Sequence, residues 1–494
     1  MIKYLLLFFT TFAFSQQTEA VDFKNVLGKI AINPTEKSVS GEVTYDFEVL
    51  KSIDTIKIDA QNMAFSDVKI NGKNANYLTT SKQLQLITSF KKGKNKLTLK
   101  YKCQPKQTLY FFGSQATNNL EIWTQGQGKY TSNWFPSFDD VNEKVVFNLD
   151  ITFDKKYQVI SNGKFIKSNS SDHLRTWKYR MNKPMSSYLL MLVVGNFEKK
   201  VEKSKSKIPL EMYFHKEDAS KFETTYRYST TIFDFLENEI GVYYPWEIYK
   251  QIPVRDFLYA GMENTSATVF SQDFVVDSTA FNDRNYINVN AHELAHQWFG
   301  NLITAKTGKH HWLQEGFATY YALLAEESIF GEDYFNWKMY EMAERLQQNA
   351  KTDTIPILND KASSLTFYQK GAWAVHVLRE NVGRENFQKA VKNYLEKYKF
   401  ENVTTDDFLA EINKVSNFDT NNFKIKWLET SGFEVQEALN ILKKNKFIKS
   451  YFYIAELKDL PLLAKRNQFE IILNSNAFYP IKEEIIYQLQ DIPF

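Results

Sequence analysis

A chain of 494 residues, 43% hydrophobic and 24% charged, has the balance of a globular protein and room for two to four domains. Its formal charge of +3 gives no global case for nucleic-acid binding, and Lys199-Lys200 through Lys207 read as a solvated loop. Cys103 is the single cysteine, which excludes an intramolecular disulfide and a cysteine-based zinc cluster and leaves stability to the size of the core.

Lys3 is followed by the apolar run Tyr4 to Phe14, and Ala13-Phe14-Ser15 supplies a small-x-small cleavage site before Gln16. The run is shorter than the roughly 20 residues a bilayer span needs. Residues 1–15 are therefore expected to be a cleaved secretory signal, with the chain exported to the periplasm or the extracellular space and no stable membrane insertion afterwards. No Cys follows the cleavage site, so a lipid anchor is not expected there, and no later stretch is long and apolar enough to cross a membrane.

From about Phe23 to Lys200 the period is two. Val43, Tyr45, Phe47 and Val49 alternate with polar residues, as do Val145, Phe147, Leu149, Ile151 and Phe153, which predicts strands with one buried face. Cys103 continues the alternation Leu97, Leu99, Tyr101 and is expected to face a sheet core. Turn signals such as Asn71-Gly72 and Ser161-Asn162-Gly163 separate the strands. The Lys- and Ser-rich stretch Lys203 to Lys207 reads as a linker.

Beyond it the period becomes helical. Helices are expected within Ala219 to Glu239, Tyr286 to Phe299, Gly316 to Phe330, Phe367 to Asn381, Glu385 to Lys399 and Thr405 to Val415. Thr404-Thr405-Asp406-Asp407 is a helix start, with a capping hydroxyl and acids in the first turn. The tail from Asn445 reads as partly helical.

The strongest motif is His292-Glu293-Leu294-Ala295-His296. Four residues along a helix is about 6 Å on one face, so both imidazoles reach one metal ion. Glu293 is displaced around the helix, where it approaches a water on the metal without ligating it. Only seven histidines occur in the chain, and Glu315 opens a second helical segment beyond a loop. His292, His296 and Glu315 supply the three nitrogen and oxygen ligands of a catalytic Zn²⁺ site with one open position, one ion per chain. Such an ion lowers the pKa of its water and polarises a carbonyl, with Glu293 as general base. That is hydrolysis of an amide bond, and the motif alone does not separate endopeptidase from exopeptidase.

At this point the chain resembles a known family, the zinc aminopeptidases that include aminopeptidase N and the leukotriene epoxide hydrolase/aminopeptidase. The resemblance is carried by Gly261-Met262-Glu263-Asn264, by His292 through Asn301, by Trp312-Leu313-Gln314-Glu315-Gly316-Phe317-Ala318 and by Tyr368-Gln369-Lys370-Gly371-Ala372. Weaker echoes are Phe135-Pro136-Ser137-Phe138-Asp139, Ser161-Asn162-Gly163 and Met185-Ser186-Ser187-Tyr188-Leu189, so the likeness spans about Thr124 to Gly432 in the family's order.

The resemblance implies a multidomain fold: a β-rich N-terminal sandwich or saddle domain over residues 16–203, a thermolysin-like α+β zinc peptidase domain over 204–440, and a short helical tail over 441–494. It implies that Glu263 grips the α-ammonium of a peptide with a free N-terminus, that Gly261, Met262 and Asn264 form an edge strand along the substrate, and that Tyr368 donates a hydrogen bond to the oxyanion. Gln127 stands where most relatives carry a second amine-binding Glu, as it does in the leukotriene hydrolase, and so joins the substrate-binding candidates. Ser132 replaces a common Arg, and Lys309-His310-His311 a usual Asn-Asp-apolar run. Ala322 occupies the place of an acid that orients a zinc-bound His, with Glu326 one turn later as the candidate stand-in. The implied reaction is release of the first residue of a peptide; epoxide hydrolysis, suggested by Gln127, and a non-catalytic peptide-binding role are the alternatives.

Overall fold

The computed structural model describes residues 17–128 and 130–490. The expected leader, residues 1–15, lies outside them. The chain divides into two compact units, Met1–Asn196 and Phe197–Phe494.

The first unit is built of strands because its apolar residues alternate. In Ser38–Val49 the residues Val39, Val43, Tyr45, Phe47 and Val49 are buried, and in Lys144–Asp154 so are Val145, Phe147, Leu149, Ile151 and Phe153. Cys103, at the end of Gly93–Cys103, is buried as expected. The main sheet runs Lys164–Ser171, Leu174–Arg180, Lys144–Asp154, Val21–Asn33, Ser38–Val49, Gly93–Cys103, Ala64–Ile70, Lys73–Asn74. At its centre Val21–Asn33 pairs antiparallel with Ser38–Val49 and parallel with Lys144–Asp154, in the register Val26↔Tyr45 and Asn25↔Val146. The register shifts between Phe23 and Asn25, and there the Phe23 N–H donates to the buried Glu143 carboxylate at 3.0 Å. The weaker sequence echoes interlock in this unit. Asn162 Nδ2 donates to the Leu189 carbonyl at 3.0 Å, the Met191 N–H donates to Asn162 Oδ1 at 2.8 Å, and Ser187 Oγ donates to the Phe138 carbonyl. Smaller sheets of three and four strands complete the unit.

The second unit opens with a sheet in the order Phe197–Lys203, Pro209–His215, Tyr249–Val254, Ala267–Ser271, Gly261–Met262. Lys203 to Lys207 is therefore not a linker. It is the turn of an antiparallel hairpin that pairs Lys203 with Pro209, its Ser204 hydroxyl accepting from the Ile208 N–H at 3.0 Å. The expected domain boundary at 203/204 falls in this turn, whereas the compact units part at Asn196. Helices follow at Ser229–Ile240, Ile287–Ala295, Trp312–Phe330, Gly371–Val382, Arg384–Lys397 and Thr405–Val415. Glu332–Asn349 is a further helix that the sequence reading does not contain. Its buried Phe335, Met339, Met342, Ala343 and Leu346 do fall at helical spacing, but among charged and amide residues that dilute the pattern. Val435–Leu442, Lys446–Glu456, Leu462–Leu473 and Tyr479–Gln490 form the tail. Among the described residues no helix is long and apolar enough to cross a membrane.

Candidate active site

The helix that carries the first two candidate ligands is fixed at its root by aromatic packing. Tyr286 stacks on Phe270 of the sheet with ring centroids 3.9 Å apart, and Tyr226, Phe222, Met212 and Val289 close the cluster. The helix Ile287–Ala295 then presents His292, while His296 follows its last residue and donates its N–H to the His292 carbonyl at 3.1 Å. The two Nε2 atoms stand 3.0 Å apart. The chain turns back through Gly300, at φ +132°, and re-enters a helix at Trp312, whose first turn holds Glu315 fully buried. Glu315 Oε2 lies 3.4 Å from His292 Nε2 and 3.2 Å from His296 Nε2. Among the described residues these three are the one group able to converge on a metal ion.

The donor set fits zinc. Bonds of about 2.0–2.1 Å in a tetrahedral site imply ligand–ligand edges of about 3.3–3.4 Å, close to the edges observed. Both Glu315 oxygens are buried without a hydrogen bond of good geometry among the described residues; Oε2 faces the imidazoles of His292 and His296, and Oε1 has His311 Nε2 at 3.2 Å. Burial pushes the Glu315 carboxyl up, but His296 and its neighbours outweigh that and hold it well below the usual range. Burial lowers the His296 imidazole, yet Glu315, Glu263 and Glu293 together hold it at about 10. The pocket thus calls for a positive charge between His296 Nε2 and Glu315, which a metal ion supplies.

The ring of His296 is oriented by the Phe299 carbonyl, 2.9 Å from Nδ1. A proton on Nδ1 leaves Nε2 free to face the metal position, the task an acid performs elsewhere. Glu326 does not stand in for the acid missing at Ala322. Its carboxylate accepts from Asn288 Nδ2 at 2.7 Å and from the Tyr334 hydroxyl at 2.9 Å.

Glu293 is buried beside the ligands, and burial raises its carboxyl well above the ordinary value. The strand Gly261–Met262 passes directly over it. A Cβ on Gly261 would run into the Glu293 side chain, 2.6 Å from Cγ. That strand is the edge of its sheet, pairing Met262 with Val269. Glu263 follows, buried, its carboxyl raised first by burial and opposed by His296. Met262 and Asn264 are fully buried, so their side chains shape the segment and do not face a cleft. Gln297 Nε2 donates to the carbonyls of Glu263 and Asn264 at 3.3 Å each, and Asn301 Nδ2 donates to the Glu263 carbonyl at 2.7 Å. The histidine segment and the Glu263 segment are thereby one unit.

Tyr368 sits in a π-helical turn, Thr366–Lys370, that leads into Gly371–Val382. Its ring lies parallel to that of His292 at 5.6 Å. Burial, first of all, pushes its phenol far above the ordinary value, so it is a hydrogen-bond donor at neutral pH. Asp353 anchors the turn, accepting from Ser363 at 2.8 Å and Thr366 at 2.9 Å.

His292, Glu293, His296, Glu315, Tyr368, Gly261 and Glu263 are thus assembled at one place in the second unit. Gln127 belongs to the first unit, half-buried in the turn after Glu121–Thr124. Gln297, Asn301 and His311 also belong to the site and have no role in the sequence reading. Gln297 and Asn301 lie inside the quoted run from His292 to Asn301, which is the signal that marks them, whereas His311 stands out only as a departure from the family pattern.

Residues 28–189 match the model of the peptidase M1 N-terminal domain, and residues 224–427 match that of the peptidase family M1 domain. The chain is 28% identical over 334 residues to the glutamyl aminopeptidase of Bos taurus, covering 62% of this chain and 34% of the bovine protein. It is 26% identical over 397 residues to the leucyl aminopeptidase of Saccharolobus solfataricus, covering 77% of this chain and 50% of that one. It thus spans about a third to a half of the length of the curated relatives it matches. Among solved structures it is similar to an M1 zinc metallopeptidase from Deinococcus radiodurans, with a TM-score of 0.73 and 20% identity, covering 84% of this chain and 95% of that one. A mutant of that protein bound to a Tyr-Ser-Ala substrate gives 0.72, again at 20% identity, with 84% and 95% covered. At that identity the likeness is one of fold.

Proposed function

The chain belongs to peptidase family M1, and from that membership we propose that it is a zinc aminopeptidase releasing the N-terminal residue of peptides. The observation that carries the reading is the convergence of His292, His296 and Glu315 on one point with Glu293 and Glu263 buried around it.

His292, His296 and Glu315 would hold one zinc ion, which when bound supplies Lewis acidity toward a carbonyl and acidifies a water. Glu293 takes the water proton on its carboxylate; its raised affinity for protons, due to burial, suits a base that must keep the proton and pass it to the leaving amine. Tyr368 offers its hydroxyl proton to the developing oxyanion. Glu263 binds the α-ammonium, and the ammonium in turn relieves the cost of an ionised carboxyl in a buried place. That contact fixes the first peptide bond, and no other, at the reacting position. Export by way of residues 1–15 completes the proposal, and N-terminal sequencing of the exported protein checks it.

One peptide, free and N-acetylated, tests the reading with the wild-type enzyme and Glu263→Ala. The free peptide is cleaved at its first bond, a chelator abolishes the reaction and zinc restores it. The acetylated peptide is left intact, and Glu263→Ala raises KM and lowers kcat on the free one. Equal cleavage of both peptides by the wild-type enzyme would mean an endopeptidase and refute the proposal.

A further inference from the structure

Glu315 has two oxygens, and the zinc reading employs only one. Oε2 faces His292 and His296, while Oε1 points elsewhere and meets a third imidazole, His311 Nε2, at 3.2 Å. His311 is one helical turn before Glu315, directly preceding the helix Trp312–Phe330. Its place is rigid. Its N–H donates to the Gly308 carbonyl at 3.0 Å, and its own carbonyl accepts from Gln314 and Glu315 at 2.9 and 3.1 Å. The neighbouring His310 is tied to Thr405, with Nδ1 3.0 Å from the hydroxyl. The His311 ring meets Phe367 edge-on, centroids 5.2 Å apart at 87°, and Phe367 is the residue before Tyr368.

A fully buried carboxylate cannot leave one oxygen without a partner at small cost. A cation on Oε2 does nothing for the geometry of Oε1, and a carboxylate held at one oxygen only can still rotate about its Cγ–Cδ bond. We propose that His311 is a positioning residue for Glu315: it engages Oε1, so that the carboxylate presents Oε2 alone to the metal and keeps that orientation. Resting on the zinc reading above, this assigns His311 no contact with metal or substrate. Through Phe367 the same imidazole also braces the turn that carries Tyr368.

The readout is zinc affinity, measured by competition with a chromophoric chelator, together with the visible spectrum of the cobalt-substituted protein. Wild type, His296→Ala, His311→Leu and His311→Gln are compared. His311→Leu binds zinc about 10–100-fold more weakly, the scale on which a partner of a metal ligand acts, and shifts the cobalt bands. His311→Gln, whose amide N–H reaches toward Oε1, recovers most of the loss. Should His311→Leu fail to fold, His311→Asn, polar but too short to reach Oε1, replaces it with the same expectation. Wild-type zinc affinity in His311→Leu, or no recovery in His311→Gln, overturns the assignment while leaving the zinc site intact. Equal zinc binding by wild type and His296→Ala overturns the zinc reading itself, and this inference with it.

Discussion

At Gly261 a single hydrogen stands where any other residue would place a carbon against the Glu293 side chain. The glycine is there for space, since its φ is not in the left-handed region. Gly261→Ala is expected to keep its zinc, because it touches no ligand, and to lose about 10²-fold in turnover, the scale of an ångström-sized displacement of a catalytic group. Glu293→Gln gives the reference: zinc retained, turnover lost, because an amide cannot accept the proton. Zinc content and aminoacyl-anilide turnover of the two variants check this, and a Gly261→Ala enzyme with wild-type turnover would show that Glu293 moves aside freely. At this scale the sequence was readable wherever helical periodicity converts directly into geometry. His292 and His296 are one turn apart, and the loop to Glu315 needs only to bring a second helix back. Gln297 and Asn301 were not readable in their roles, because the Glu263 carbonyl they hold lies more than 30 residues away and no spacing rule brings it there. The carbonyl that orients His296 is three residues on, in a turn whose shape only Gly300 hints at.

Tyr368, the proposed oxyanion donor, is placed by the way two helices cross. Trp312–Phe330 and Gly371–Val382 meet at Gly316 and Gly371, and a Cβ on Gly316 would lie 2.9 Å from the Gly371 Cα and 2.8 Å from its carbonyl carbon. Both obstacles are backbone, so a larger residue forces the helices apart. Gly371 directly follows the π-helical turn, hence the same displacement carries Tyr368 away from the ring of His292. Gly316→Ala is expected to cost about 1–3 kcal/mol of stability by overpacking and to lower turnover toward that of Tyr368→Phe. Thermal unfolding and turnover measured on both variants, and on the double variant, decide it. Full additivity of the two losses would mean that Gly316 acts on something other than Tyr368. Elements with strong local signals were legible here, Thr405–Val415 above all, whose start is marked by a capping hydroxyl and first-turn acids and where Thr404 and Asp407 form a capping box. The π turn at Thr366–Lys370 was not, since it reads as ordinary helix and its unwinding is set by the glycine crossing and by Asp353.

For the molecule as a whole, the division into a strand-rich and a helix-rich part follows from the change in period near residue 200, and the two family matches fall on either side of it. The linker reading of Lys203 to Lys207 fails because a polar Lys-Ser turn inside a hairpin looks the same as a linker until its flanking strands are seen to pair. Global stability carries a signature of its own in the first unit. Glu143 is buried, its carboxyl raised by burial to about 8, with the Phe23 N–H the main opposing influence. In the unfolded chain the same carboxyl titrates near 4.5. A group whose folded value is raised holds its proton more tightly when folded, so its contribution is complete below about 4.5 and is lost as the pH rises through about 8. Between those limits the unfolded state releases the proton first, and stability falls with rising pH. Glu143→Gln keeps an oxygen for the Phe23 N–H and removes the titration. The variant is therefore expected to unfold at nearly the wild-type temperature at pH 5 and at a clearly higher temperature at pH 8. Melting curves of both proteins at the two pH values suffice, and a variant whose advantage is the same at pH 5 and pH 8 would show that Glu143 is already ionised in the folded chain.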